Sequence, residues 1–403
     1  MQNGSRYGKF KKMKVGHTKA QLRLQRPRVL LYQSWWNDSI LRGVVRYAHL
    51  ENWVLNCDMK WSHRWPASPS CYDGIIACGS EPALLEMIRR DRTPVVDLDP
   101  FEDSFKAPKV ITPEEEIGRM AAEHLLGLNY KHLGLVEFSG HPNPGGRLRF
   151  NEFREPTHES LPKKGFREAA LRGGAEFHAI PLPRLVEGVA GLPRPMGLMA
   201  INDVLALDVL SLLLEAGALV PEEFSVIGVD DTELLCDFAP VPLSSINCDD
   251  ELKGFEAAAL LSRLMRGEKP KRKVFSIPPR GVTQRRSTDA RALSDLRAAK
   301  GLRFLRDHFR EQISVGDAAE AGELPLWQLQ KIFRESLGRS PIEELTRIRI
   351  EAAKLLLREK GKKILAVAQE CGFNSRYHFS RTFSRIVGKT PAIYRRSLSE
   401  ESV

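Results

Sequence analysis

The sequence predicts two α/β lobes built on doubly wound parallel sheets, followed by an all-α domain with two helix-turn-helix units. Three observations lead to this fold class. Short β-branched runs alternate with helical patterns from residue 28 to about residue 280. From about residue 294 to residue 396, the strand pattern ends and helix periods dominate. Within that stretch, two segments 50 residues apart look like distant copies of one helix, turn and helix.

The first elements set the pattern for the lobes. A buried strand is predicted over 28–33, followed by a helix over 38–52 with Asp38 or Ser39 as its N-cap. Further strands are predicted over 53–58, 73–79, 94–99, 132–138, 197–202 and 224–230, with helices over 115–128 and 202–217. This length of alternating chain fits two parallel sheets better than one.

Charge is unevenly distributed along the chain. The first 28 residues contain nine Lys/Arg and no Asp/Glu, and residues 281–403 contain 24 basic and 15 acidic side chains. Because the whole chain carries only +10, the segment between them is acidic. Basic ends predict a polyanionic partner at the ends and a different task in the middle. Residues 1–27 are interpreted as a basic flexible tail, either solvated or acting as a loose phosphate-binding arm.

Several protein classes are disfavoured by what the sequence lacks. No run of 18 apolar residues predicts a membrane span, and the N-terminus has no apolar core of a secretory signal. The six cysteines form no CxxC pair or metal-like cluster, which favours a reduced, cytoplasmic protein without metal or cofactor. No P-loop, GxSxG or HExxH motif occurs, so we expect no enzyme.

Polar and aromatic residues follow three of the predicted strands, where ligands of doubly wound sheets lie. They are Trp35, Trp36 and Asp38 after the first strand, Asn202 and Asp203 after a later one, and Asp230 and Asp231 after the strand that begins at residue 224. Carboxylates and amides bind hydroxyl groups, and an indole face packs on the C–H face of a sugar ring. The alternative is structural: Asn202 or Asp203 caps the next helix, Asp230 caps a turn, and the tryptophans belong to a core or an interface.

A family resemblance appears in this region. The runs AINDVLALDVLSLLLEAGALVPEEFSVIGVDDTELL and PLSSINCDDELKGFEAAALL resemble the effector-binding domain of the LacI/GalR repressors, which shares its fold with periplasmic sugar-binding proteins. The resemblance implies that Asn202 and Asp230 contact a sugar. The chain departs from that family at Pro162, where an Arg is common, and at Cys248, where a Gln is common. Arg147, Arg149 or Arg154 in the preceding Gly/Pro-rich stretch are candidates to supply the missing guanidinium. TPEE (112–115) also replaces an Asp-Asn pair that the family often has.

The two copies in the helical part each contain a small-residue helix, a turn and a second helix. In the second helices, we expect the buried stripes to be Leu329, Ile332 and Phe333 in the first copy and Phe379, Phe383 and Ile386 in the second. The helix over 341–359 between them is about 27 Å long, which would place two recognition helices about one DNA turn apart, on the order of 34 Å. Donor-rich exposed faces of this kind fit the major groove.

The motifs R.R.EAAKLLL, ILAVAQECGF and YHFSRTFSR..GKTPAIYR resemble the DNA-binding domain of the AraC/XylS family over about 100 residues. By that resemblance, the base-reading residues are Trp327, Gln330 and Lys331 in the first unit and Arg376, Tyr377, His378 and Arg381 in the second. Pro325 replaces a helix-capping Ser that is usual in the family; Pro is acceptable at the first helical position. The Gly-Glu pair before Leu324 is a second departure.

The combined resemblances imply an activator of pentose (xylose-like) catabolic genes that responds to a sugar such as xylose. Its expected partners are double-stranded operator DNA, RNA polymerase and a second copy of the chain. The predicted boundaries are a tail over 1–27, an effector-binding domain over 28–285, a linker over 286–297 and a DNA-binding domain over 298–397. Two alternatives stay open: a regulator that responds to another carbohydrate or a non-sugar ligand, and a sugar-binding module without a transcriptional role.

Overall fold

The computed structural model describes residues 26–34, 36–57, 72–79, 82–100, 105–137, 161–289, 293, 295–359 and 361–400. The chain divides into two compact units. The first unit combines Met1–Thr112 with Asp250–Ile277, and the second combines Pro113–Asp249 with Pro278–Val403. The predicted tail up to residue 25, together with Trp35, Arg147, Arg149 and Arg154, lies outside the described residues.

The first unit, here called the first lobe, is a parallel six-stranded sheet flanked by helices. Its strands are β1 (Arg28–Gln33), β2 (Val54–Asn56), β3 (Gly74–Cys78), β4 (Val95–Asp97), β5 (Lys109–Ile111) and β11 (Val274–Ser276). The sheet order is β11-β5-β4-β3-β1-β2. Its described helices are α1 (Asp38–Leu50), α2 (Pro82–Asp91) and α8 (Asp250–Met265). Helices α1 and α8 cross closely, because Gly43 and Gly254 leave room for the facing backbone.

The second unit begins with a second lobe of the same kind. Its strands are β6 (His132–Glu137), β7 (Glu176–Pro181), β8 (Met196–Ala200), β9 (Phe224–Val229), β10 (Ser244–Asn247) and β12 (Gly281–Thr283). The order is β12-β10-β9-β8-β6-β7, and only the pairing of β12 with β10 is antiparallel. The helices are α3 (Glu114–Gly127), α4 (Leu161–Arg172), α5 (Leu182–Glu187), α6 (Asp203–Glu215) and α7 (Glu233–Asp237).

The rest of the second unit is helical. It comprises α9 (Leu296–His308), α10 (Val315–Ala321), α11 (Leu326–Leu337), α12 (Pro341–Leu356), α13 (Ile364–Glu370), α14 (Arg376–Val387) and α15 (Pro391–Glu400). One hydrophobic core joins α9, α10 and α11, and a second joins α13 and α14. Helix α12 serves both cores, since Leu345 and Ile348 lie in the first whereas Ile350 and Ala353 lie in the second.

The predicted fold class of two parallel α/β lobes followed by a helical domain is confirmed. The sequence patterns missed the strands β5, β7, β10, β11 and β12. Four of these are only three or four residues long, too short for a β period to stand out. The predicted N-cap of α1, Asp38 or Ser39, was wrong by one or two residues, because the cap is Asn37, whose side chain accepts from Ser39 N and Ile40 N.

Within the described parts of the chain, no helix is both long enough and apolar enough to cross a membrane.

Candidate functional site

The first lobe gathers polar side chains where β1 ends and α1 begins. Asn37 Nδ2 donates to Asp250 Oδ2 at 2.8 Å, and the Gln33 side chain bonds the Asn37 backbone at both its N–H and its carbonyl. Of the predicted residues, Trp36 donates from Nε1 to Asp38 Oδ1 at 2.7 Å. Trp36 is half-buried and Asp38 is exposed, so a polar surface continues from the strand end to the helix start.

A buried acid also lies at a strand end of the first lobe. Asp97, the last residue of β4, is fully buried and pairs with Lys109 Nζ at 2.9 Å. Burial raises the pKa of Asp97 to about 6, although the Lys109 ammonium pulls it down. The sequence patterns did not single out these acids, because Asp97 lay inside the predicted strand 94–99 and Asp250 begins helix α8.

In the second lobe, Asn202 and Asp203 stand between β8 and α6. Asn202 caps α6, since its Oδ1 accepts from Leu205 N at 2.8 Å, as one of the alternative interpretations expected. Asp203 is buried and accepts from Ser245 Oγ at 2.5 Å and from Thr232 N at 2.7 Å. Burial raises the pKa of Asp203 to about 6 despite these hydrogen bonds. Asp203 therefore ties three segments of the lobe together.

Asp230 and Asp231 follow β9 in the left-handed region of backbone conformation, with φ of 102° and 54°. Such values are uncommon outside Gly and Asn, and they fix the direction of both side chains. Asp230 is half-exposed at the carboxyl end of the sheet. Asp231 accepts from Arg285 at 2.7 Å, Asn247 at 3.0 Å and Thr283 at 2.5 Å. Asp231 therefore links β9 to Asn247, Thr283 and Arg285, while Asp230 stands beside it at the strand end.

Arg285 leads from this site toward the helical part. It pairs with Asp231 and with Asp237 Oδ1, also at 2.7 Å, and these acids raise its pKa although burial opposes the charge. The next residues form a short 3-10 turn, Arg286–Thr288, in which Ser287 and Thr288 are buried. Ser287 Oγ donates to Val226 O in β9. The segment between the second lobe and the helices is therefore bonded to the sheet.

The position of Pro162 lies in the first turn of α4, and Pro162 is buried. Its carbonyl faces Gly118 of α3, where the two helices pack closely. Cys248 is buried beyond β10 in an apolar cluster. Neither Pro162 nor Cys248 has a strong hydrogen-bond donor on its side chain. Neither can therefore replace the Arg or the Gln that is common at its position in the LacI/GalR family.

The second helices of the two units, α11 and α14, are called the reader helices. In α11, Leu329 and Phe333 are fully buried and Ile332 packs against the same core. The predicted base-reading residues lie on the opposite side: Trp327 is 66% exposed, Lys331 is exposed and Gln330 is half-buried. Lys331 faces Glu335 at 3.9 Å. The first reader helix thus presents an exposed aromatic and two exposed cations, Lys331 and Arg334, with one acid, Glu335, while the Gln330 amide is half-buried.

In α14, the residues Arg376, Tyr377, His378 and Arg381 are all exposed, and Tyr377 is 76% exposed. Phe379 and Phe383 are fully buried, as expected. Ile386 was predicted to be buried and is 45% exposed. The apolar stripe instead continues through Val387, which packs against the core, and leaves Ile386 on the flank.

The turns of the two units differ. In the second unit, Gly372 holds a φ of 75°, and a Cβ there would lie 2.3 Å from Phe309 O. In the first unit, Glu323 takes the corresponding left-handed position with φ of 52°. Pro325 is the N-cap of α11 rather than its first helical residue, and its side chain makes no capping bond. Ser375 caps α14 by accepting from His378 N.

The first helical unit is anchored on the second lobe by a buried ion pair. Arg306 in α9 pairs with Glu222 Oε1 at 2.9 Å, and the two side chains are 5% and 1% exposed. Arg306 also donates to Asp289 O, and Arg347 of α12 donates to the Asp289 carboxylate at 3.2 and 3.3 Å. Leu219 of the lobe packs into the core of the first unit. Polar and apolar contacts therefore fix this unit on the lobe.

Comparisons with known proteins agree with this architecture. A periplasmic binding protein-like domain matches residues 122–288, and a helix-turn-helix domain matches residues 318–397. The Xylose operon regulatory protein of Escherichia coli (strain K12) is 28% identical over 278 residues, which cover 68% of this chain and 71% of that protein. Its namesake from Haemophilus influenzae is 27% identical over 338 residues, 80% of this chain and 84% of that protein.

Among solved structures, one described as that of the xylose-binding transcription activator xylR matches with a TM-score of 0.72. It is 23% identical and covers 93% of this chain and 99% of that chain, which shows a shared fold. Two parallel-sheet lobes joined to paired reader helices define a transcription regulator that couples a periplasmic-binding-protein-like domain to an AraC-type helix-turn-helix domain. Within that class, the chain is homologous to the Xylose operon regulatory proteins.

Proposed function

We propose that this regulator responds to a sugar of the pentose class, with xylose as the first candidate, and activates genes for its catabolism. The observation that carries the proposal is the amide and carboxylate set at the carboxyl ends of the strands, on a chain that also holds two reader helices. Amides, carboxylates and indoles are the groups that bind sugar hydroxyls and C–H faces. The names of the homologous proteins point to the same ligand.

In this proposal, candidate effector-binding groups stand at strand ends in each lobe. The first lobe offers Trp36 and Asp38, and the sequence adds Trp35. The second lobe offers Asp230, whose half-exposed carboxylate accepts sugar hydroxyls, and Asn202, whose amide nitrogen serves as donor while its oxygen caps α6. Arg147 and Arg149 remain sequence-based candidates for the guanidinium that Pro162 does not supply. This part of the proposal rests on strand-end position and side-chain chemistry.

For DNA, we propose that α11 and α14 enter successive major grooves. Arg376 and Arg381 are suited to guanine O6 and N7, Gln330 to adenine, and Trp327 or Tyr377 to thymine methyl groups. Lys331 and His378 complete the two exposed faces. Helix α12 joins the units as one rigid element of 16 residues, about 24 Å long.

Coupling between sensing and DNA binding is proposed to run through Arg285. Asp230 is adjacent to Asp231, which holds Arg285, and Arg286 pairs with Asp307 of α9 at 2.8 Å. A ligand that draws Asp230 into new bonds changes the neighbouring Asp231–Arg285 pair only if it binds one conformation better than the other. Cytoplasmic location, dimerisation on direct repeats and recruitment of RNA polymerase belong to the proposal as well.

Calorimetry with a panel of pentoses and hexoses tests the effector site. We compare the full chain with Asp230→Asn, because Asn tolerates positive φ and the change removes the charge and replaces one acceptor oxygen with an NH2 donor at nearly the same size. Glu215→Gln, an exposed acid on α6, is the matched control. We expect one pentose to bind the parent and the control equally and to bind Asp230→Asn at least tenfold more weakly. Equal affinity in all three chains would place the site elsewhere.

The same panel separates the alternative ligands. One observation favours a different carbohydrate or a non-sugar effector. Pro162 and Cys248 stand at positions where LacI/GalR repressors commonly have sugar-binding side chains. If no sugar binds the parent chain, the pentose proposal fails while DNA binding by α11 and α14 remains to be tested on its own. Binding of sugar without specific DNA binding would instead support a sugar-binding module.

A further inference from the structure

Three side chains with metal-binding atoms meet at one edge of the second-lobe sheet. His132 begins β6 and lies opposite Glu176 in β7, and His178 follows two residues later in β7, opposite Gly134. Residues i and i+2 of a strand share a face with their cross-strand partner. All three side chains therefore project from the same side of the sheet, at the amino ends of the strands.

The ligand atoms are already close together. His132 Nδ1 lies 3.3 Å from Glu176 Oε2, and His178 Nε2 lies 3.9 Å from the same oxygen. The three side chains can each supply one atom so that all lie within 4.8 Å of one another. Tetrahedral zinc with bonds of about 2.0–2.1 Å spaces its ligand atoms by about 3.3–3.4 Å. The two separations from Glu176 Oε2, 3.3 and 3.9 Å, are close to that spacing.

A second, independent observation concerns the hydrogen bonding of two imidazole nitrogens. His132 Nδ1 and His178 Nε2 are both buried atoms, and across the described residues neither forms a hydrogen bond, although both face the Glu176 carboxylate. Buried polar atoms are rarely left without a partner because the lost hydration has a cost of about 1–3 kcal/mol. A cation between the two rings and the carboxylate satisfies both nitrogens at once.

We propose that His132, Glu176 and His178 bind a divalent transition-metal ion of the zinc class. Two imidazoles and one carboxylate suit zinc and its neighbours, whereas calcium and magnesium prefer all-oxygen ligands. The Glu176 side chain is 74% exposed, so a water molecule can take a fourth position. Arg184 places a positive charge near His178, which the Glu176 carboxylate offsets.

The site is separate from the proposed effector site, because the triad stands at the amino ends of the strands and Asp230 at a carboxyl end. It lies near the attachment of the helical part. Tyr130, two residues before His132, donates its hydroxyl to Pro221 O at 2.9 Å, and Glu222 pairs with Arg306. A bound ion would therefore brace the sheet edge next to the segment that anchors the first helical unit.

The test uses the full chain without a histidine tag, stripped of metal with a chelator. Zinc is titrated against a chromophoric chelator for the parent, His132→Asn, His178→Ala and Glu176→Gln, with the exposed His49→Ala in α1 as matched control. We expect the parent and His49→Ala to bind one more zinc ion than His178→Ala, or to bind it at least tenfold more tightly. Zinc should also raise the melting temperature of the parent and the control only.

Two further measurements keep the result interpretable. Metal-free melting curves show whether each variant is folded; the side chains of His132 and His178 are 29% and 30% exposed, so their replacement should leave the fold intact. Cobalt spectra distinguish nitrogen and oxygen ligands from thiolates such as Cys78. Unchanged zinc stoichiometry and affinity in folded His132→Asn and His178→Ala would overturn the proposal, as would thiolate bands in the parent that persist in both variants.

Discussion

The two helix-turn-helix units have the same order of helices but differ in their turns, their charges and their attachment to the second lobe. The second turn has five residues, with Gly372 in the left-handed region and Ser375 as a bonded cap. The first turn has four residues, places Glu323 in the left-handed region and begins α11 after Pro325, which makes no capping bond. By local criteria, the second turn is the better formed of the two.

The second reader helix also carries the larger net positive charge. Helix α14 contains three arginines and no acid, whereas α11 contains two cations, Lys331 and Arg334, and one acid, Glu335, which Lys331 faces. The first unit, in contrast, is the one attached to the second lobe. The core of the first unit includes Leu219 of the lobe and is fixed by Arg306, whereas the core of the second unit consists of residues from α12 onward. The less well-formed turn therefore belongs to the unit that is held from outside.

This difference suggests a division of labour between the reader helices. We infer that the second unit supplies most of the electrostatic affinity for DNA, since exposed cations without neighbouring acids release counterions most effectively. We also infer that an effector acts on the first unit, because that unit is docked on the lobe. Experiments that disturb one unit and leave the other intact can break or sharpen this comparison.

The largest effect is expected from Arg306→Ala. Removing one partner of a buried ion pair leaves Glu222 unpaired and destabilises by about 3–5 kcal/mol. We expect hydrogen exchange to accelerate in α9 and α10 while α13 and α14 keep their protection. The exposed Arg385→Ala should change neither region. If the paired change Arg306→Met with Glu222→Met restores protection, the loss came from the unpaired charge; uniform exchange in both units would contradict separate anchoring.

Much of the fold could be predicted because it follows from hydrophobic period. Long interior strands with a neighbour on each side, such as Arg28–Gln33 and Phe224–Val229, are buried runs, and all seven predicted strands have a counterpart. Glu176–Pro181 was missed because it is an edge strand with exposed and half-buried positions, so it has no continuous apolar run. The stripe in α14 was predicted except at Ile386, where one residue of drift moved it to the flank.

The sites were less predictable, because their partners come from distant segments. Sequence position identified Asp230 and Asp231 but could not assign them different roles; that depends on Arg285, Asn247 and Thr283 converging on Asp231. The pair of Glu222 and Arg306 joins residues 84 positions apart, and no local pattern marks it. The reader residues were named from family resemblance, and their exposure is consistent with that assignment, while their contacts with bases stay a prediction.

A smaller effect is expected at the DNA surface, where the units should respond differently. Arg376→Ala and Arg381→Ala should each weaken specific operator binding by roughly 1–3 kcal/mol and reduce the steepness of the salt dependence. Gln330→Ala should relax sequence preference in the first half of the site without changing the salt slope, because Gln is neutral. Titrations of labelled operator at several salt concentrations measure both quantities.

The exposed Arg89→Ala in the first lobe is the matched control for lost charge, and it should leave both affinity and slope unchanged. A slope that falls equally for Arg89→Ala and Arg376→Ala would mean that general charge, rather than the second reader helix, sets the affinity. If Gln330→Ala weakens binding more than Arg376→Ala does, the proposed division of labour is reversed.

The smallest effect concerns the N-caps of the reader helices, because a capping side chain can be removed from one unit and introduced into the other. Ser375→Ala removes the bond to His378 N and should destabilise the second unit by about 1 kcal/mol. Pro325→Ser adds a side-chain acceptor for the first turn of α11, where Gln328 N now donates only to Pro325 O at 2.9 Å; the backbone there, with φ of −58° and ψ of 140°, already suits an N-cap. We expect a gain somewhat below 1 kcal/mol, because losing Pro raises the entropy of the unfolded chain. Denaturant unfolding that reports on each unit measures both changes. A first unit that gains nothing from Pro325→Ser would show that its docking on the lobe already fixes the start of α11, so that the local cap no longer limits it.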